Sequence, residues 1–127
     1  MMIRTALLLL TMLAKPLALA DDISGFWKHA EEPGWIEIRR DEGKGTVVRN
    51  DEYPERAGRE IVKGLEPYGS KENLWHGEVY AERLGEYKDA EISLSEPDRM
   101  QFKVKVGFMS RTVDRVRVDQ VPAAPAN

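Results

Sequence analysis

The chain of 127 residues has no cysteine and only two histidines, His29 and His76. Without Cys there are no disulfides, thiolate zinc sites, iron–sulfur clusters or cysteine nucleophiles. Two distant histidines do not supply the closely spaced donors on which zinc sites rest. No metal and no cofactor are expected. An excess of positive charge is also missing: 19 basic residues face 22 acidic ones, for a net charge of −3. That balance argues against nucleic acid as a partner, because such binding draws on basic surface to displace counterions from phosphates. There is no Gly-x-Ser-x-Gly elbow, and Ser70 stands in a polar stretch. Gly43-Lys44-Gly45 joins two apolar runs and does not open a helix, so it reads as a turn, not a phosphate cradle. The acidic neighbours Glu31-Glu32, Asp51-Glu52 and Glu78 with Glu82 read as solvated faces in a chain this rich in carboxylates. The expectation is a protein that is not an enzyme.

Residues 1–20 have the layout of an export leader. Arg4 gives the positive start, 6–13 (ALLLLTML) the apolar stretch, and Ala18-Leu19-Ala20 the small-x-small cleavage site. Lys15-Pro16 ends the apolar run, which falls short of the ~20 residues that span a bilayer. Cleavage after Ala20, a periplasmic location and no integral membrane span after processing follow as expectations.

Beyond the leader no window carries the i, i+3, i+4, i+7 apolar repeat of a helix. Short alternating runs separated by turn residues take its place. They fall at 25–29, 35–40, 46–50, 59–65, 74–84, 87–95, 99–108 and 111–119. The clearest is 99–108, where Met100, Phe102, Val104, Val106 and Phe108 alternate with Gln101, Lys103, Lys105 and Gly107. In the last run Val116 and Val118 share one face, and 120–127 forms a Pro/Ala tail expected to be disordered. About eight strands, each with one apolar and one charged face, would leave a flat sheet with an exposed dry side and two open edges. Closure removes both problems. The expected fold is all-β: an up-and-down antiparallel barrel of about eight strands over 21–119, with a two-sheet sandwich as the rival.

Gly25-Phe26-Trp27 on the first strand resembles the Gly-x-Trp of lipocalin-like (calycin) barrels, and Arg111-Thr112-Val113-Asp114-Arg115-Val116 resembles their closing strand. More narrowly, Trp75-His76-Gly77-Glu78-Val79-Tyr80, the segment 87–94, and Val106-Gly107-Phe108 with Ser110-Arg111-Thr112 are similar to a family of small exported bacterial proteins, domain-of-unknown-function family 2147. The resemblance implies a lipocalin-like barrel in the bacterial envelope. It also implies that an Arg of the last strand, taken as Arg115, lies over the indole of Trp27 beside Gly25 and closes one end.

The barrel interior is then the candidate site. Trp75, Val79, Met100, Phe102, Val104 and Phe108 are the expected lining of a space for a small apolar or amphiphilic ligand. The rival reading is a protein-interaction module, such as an inhibitor of an envelope-degrading hydrolase. It would use the loops 31–34, 51–58 and 66–73 toward a basic envelope partner. Lys103 and Lys105, with Arg111, Arg115 and Arg117, make the last two strands basic: a solvated face, or a contact for an anionic glycan or lipid headgroup.

Overall fold

The computed structural model describes residues 22–123, so the expected leader and the end of the tail lie outside the described residues. Eight strands follow one another: β1 (Gly25–His29), β2 (Gly34–Arg39), β3 (Lys44–Asn50), β4 (Glu60–Pro67), β5 (Leu74–Ala81), β6 (Glu86–Glu96), β7 (Arg99–Val106) and β8 (Met109–Val118). Each pairs antiparallel with the next, and β1 pairs with β8, which closes the barrel. Among the described residues, two short 3-10 turns, Arg40–Glu42 and Pro54–Arg56, are the remaining regular structure. No helix among the described residues is long and apolar enough to cross a membrane.

The alternation in β7 works as its sequence dictates. Met100, Phe102 and Val104 are buried, while Gln101, Lys103 and Lys105 between them are exposed. Across the hydrogen-bonded ladder, partners share a face, so the inward set can be followed around the wall: Ile92 opposite Phe102, Trp75 opposite Ile92, Ile36 opposite Trp27. In β8 the same logic departs from the expectation. Arg115 stands opposite Met100 and Arg117 opposite Trp27. Val113, Arg115 and Arg117 therefore face inward, and Val116 and Val118 do not. Two arginines are tolerated inside because one meets backbone carbonyls at the barrel end and the other meets a cavity.

Up-and-down order sends the turns to two ends. Residues 40–43, 66–73 and 96–98 gather with the incoming 22–24 at one end; 30–33, 51–59, 82–85 and 107–108 gather at the other. The first end is filled. Ile23, Trp27, Ile38, Val62, Ile92 and Met100 are almost wholly buried there or just above. β4 bulges between Lys63 and Glu66, with Gly64 at φ 61°, and its backbone presses on β5. A Cβ on Gly77 would lie 2.9 Å from the Lys63 carbonyl oxygen and 3.2 Å from Leu65 Cα. Backbone cannot swing aside as a side chain can, so Gly77→Ala is expected to destabilise the fold by about 1–3 kcal/mol. A thermal melt checks this; an unchanged midpoint would mean that the bulge is free to move.

Of the tail, residues 120–123 are described. The Arg49 guanidinium donates to the Pro122 and Ala123 carbonyls at 2.7 and 2.8 Å, and stacks on Trp35 at 4.8 Å. Trp35 is thus covered on the outer wall, between Arg49 and Lys28.

Candidate functional site

Toward the second end the packing stops short, and a cavity of about 840 Å³ opens. Val47, Ile61, Val79, Phe102 and Val104 form its apolar wall, and His29 and Arg115 bring polar groups to it. The elements explain this lining. Inward positions of β3, β4, β5 and β7 carry aliphatic and aromatic side chains, whereas the join of β1 and β8 places His29 opposite Arg115.

Three of the six expected lining residues, Val79, Phe102 and Val104, are on this wall. Trp75 and Met100 point inward but belong to the packed half, at 5% and 0% exposure, and do not border the cavity. Phe108 is not inside at all: it is 100% exposed. The period-two pattern runs through it in sequence, but Gly107 adopts φ 66° and Val106 already pairs with Met109. The chain reverses at Gly107-Phe108, so the alternation no longer reports a face there.

The expected closure by Arg115 is also corrected. Arg117 is the residue over the Trp27 indole, at 4.4 Å, while Arg115 lies over Phe102 at 4.7 Å. Arg117 donates from Nε to the Pro97 carbonyl (2.9 Å), from Nη1 to Ser24 (2.9 Å) and from Nη2 to Asp22 (2.7 Å). Trp27 Nε1 donates to the Ile23 carbonyl at 3.0 Å. Gly25 is part of this plug: its φ is 133°, and a Cβ would come within 3.0 Å of Arg117 Nη1.

Among the described residues Arg115 has no such hydrogen-bond partners. Its Nε is buried without a hydrogen bond. The residue as a whole is half-buried and borders the cavity. Burial lowers its pKa to about 10, with Glu32 the one opposing charge. It remains protonated at neutral pH. Its neighbour His29 accepts two backbone N–H bonds on Nδ1, from Glu31 and Glu32, both at 3.0 Å. The ring proton of the neutral form therefore sits on Nε2. Burial first, and Arg115 second, hold the His29 pKa below its ordinary value, which favours that neutral form. Glu32 Oε1 stands 4.0 Å from Nε2.

The mouth is built from loops. Asn50 Oδ1 accepts from the Glu52 and Tyr53 backbone N–H groups and turns the chain after β3. Arg56 covers the Tyr53 ring at 3.8 Å, and Arg56 and Arg59 both reach Glu82, tying the 51–59 loop to the β5–β6 turn. Leu84, Val106 and Met109 stand exposed around the opening next to Phe108. His76 is elsewhere, on the outer wall beside Glu66 and Tyr68. Among the described residues no three His, Asp or Glu side chains gather as a metal-binding set. Of the basic residues expected to mark the last two strands, Lys103 and Lys105 are on the outer face, Arg111 is exposed at the border of the cavity, and Arg115 and Arg117 are inside.

Sequence reasoning missed His29, and missed that Arg117 is the capping residue. The signal was available only through register: once β8 closes on β1, Trp27 selects its partner by position. No protein-family model, curated protein or solved structure matches the chain.

Proposed function

We propose that this protein is a non-catalytic, exported binding barrel of the bacterial envelope that holds a small apolar or amphiphilic molecule in its open half. The observation that carries the reading is the cavity itself: about 840 Å³ with a wall of Val47, Ile61, Val79, Phe102 and Val104, in a barrel whose other half is packed solid. A domain this small needs its apolar side chains for burial, so an unfilled apolar space is a cost to stability that binding offsets. The Arg117–Trp27 plug supports the likeness to lipocalin-like barrels, in which a last-strand arginine covers the first-strand indole.

A neutral fluorescent probe such as 1-aminoanthracene tests it. Its emission should rise on entering the wild-type cavity with saturable binding. Val79→Trp, whose side chain grows into the same space, should remove most of the signal while circular dichroism stays β. Equal signal from both proteins, or none from the wild type, would refute the reading.

The interaction-module alternative has one observation in its favour. The acidic loops 31–34 and 51–58 lie at the same end of the barrel as the exposed Phe108 and Met109. The third loop, 66–73, is at the opposite end and would belong to a different surface.

A further inference from the structure

An interior arginine without a partner needs an explanation. A buried charge is ordinarily paired or coordinated, because its desolvation is otherwise uncompensated. Arg115 borders the cavity, its Nε has no hydrogen-bond partner, and it rests against the face of Phe102. Beside it, on the facing position of β1, His29 presents Nε2–H, since Nδ1 is occupied as an acceptor. Two donors, one of them cationic, thus stand together beside the apolar wall of Val47, Ile61, Val79, Phe102 and Val104. Of the other charged groups bordering the cavity, Arg56 and Glu82 pair with each other, and Arg83 and the exposed Arg111, opposite Val104, stand nearer the mouth than Arg115. The exposed side chains of Leu84, Val106 and Met109 line the way out.

We infer that the cavity takes an amphiphile with a terminal oxyanion, inserted head first, with Arg115 and His29 Nε2–H binding the head and the aliphatic tail running along Val79 and Val104 toward the mouth. The planar guanidinium suits a carboxylate or a phosphate monoester, each of which accepts two parallel N–H bonds. This rests on the binding-barrel reading and adds the charge and direction of the ligand. Glu32 is the chain's own competitor. Its Oε1 stands 4.0 Å from His29 Nε2 and its charge acts on Arg115, and with its side chain 61% exposed it is free to leave when a ligand oxyanion arrives.

Isothermal titration with dodecanoate, dodecyl phosphate and dodecanol tests the inference on the purified protein. At least one of the two oxyanions should bind ten times or more tighter than dodecanol, and the stronger of the two identifies the head group. Arg115→Met should remove that preference and still take dodecanol. Glu32→Gln, at an exposed position that does not endanger folding, should strengthen oxyanion binding severalfold. The inference is overturned if dodecanol binds as tightly as both anions, or if the preference survives in a folded Arg115→Met protein. If none of the three binds, the cavity reading fails first and takes the anchor with it. Dodecanol binding without an anion preference sinks the anchor alone.

Discussion

Trp27→Ala is expected to destabilise the barrel by about 3–5 kcal/mol, the usual cost of removing a fully buried large aromatic. Trp27 is 0% exposed and anchors the closed end through three connections. Its ring packs in the core cluster, its Nε1 donates to Ile23, and its face receives Arg117. For a domain of about this length, each kcal/mol moves the melting temperature by roughly 4–8 °C, so the loss should be plain in a thermal scan. Arg117→Ala should cost about 2–3 kcal/mol, because it leaves the carbonyls of Asp22, Ser24 and Pro97 without their charged donor. Arg117→Lys should recover little of it, since a single ammonium cannot reproduce a fork that reaches two separate segments. The coupling is the sharper measurement. Trp27 and Arg117 touch, so the double mutant should lose less than the sum of the singles by about 1 kcal/mol. Arg115→Ala should show no coupling to Trp27. The opposite pattern, with Arg115 coupled and Arg117 additive, would contradict the register of β1 against β8.

The strands and their closure were legible in the sequence because both follow from a period of two. β1 falls where Gly25-Phe26-Trp27 leads into Lys28-His29, and β7 is written out by Met100, Phe102 and Val104 against Gln101 and Lys103. What the period cannot say is where a strand turns and which of two faces goes inside when both carry apolar residues. Phe108 shows the first limit, since a glycine at positive φ reverses the chain while the apolar alternation continues through it. β8 shows the second. Val116 and Val118 suggest one inward face, Val113 with Arg111, Arg115 and Arg117 the other, and composition favours the wrong one. Only the pairing of β8 with Trp27 and Met100 decides, and that is a long-range fact. For the same reason the division of the interior into a packed and an open half was not readable. Trp75 and Val79 lie on one face of one strand, yet only Val79 reaches the cavity.

The second large effect has the opposite sign. Arg115→Met should raise stability in the absence of any ligand. The guanidinium is charged at neutral pH while its surroundings hold its pKa near 10, well below the ordinary arginine range. A depression of that size corresponds to roughly 3 kcal/mol against the charged form in the fold. The folded pKa lies below the unfolded one, so this penalty is fully present at every pH below about 10 and is relieved only as the pH rises above it. Methionine fills much of the same volume without charge, and replacing buried ionic groups by apolar ones of similar size is commonly neutral or stabilising by 1–4 kcal/mol. Water in the cavity softens the penalty, which places the expected gain at about 1–2 kcal/mol, or roughly 5–15 °C in the melting temperature. Two arginines separated by one position on the same strand should therefore answer substitution in opposite directions: Arg117 holds carbonyls and its loss destabilises, whereas the Arg115 side chain makes no hydrogen bond among the described residues and its loss stabilises. A cation whose burial costs stability and whose Nε has no hydrogen-bond partner in the fold gains most from an external anion, and the proposed one is an oxyanion in the cavity. A lower melting temperature for Arg115→Met would show that Arg115 has a structural partner and would remove the reason to assign it a ligand.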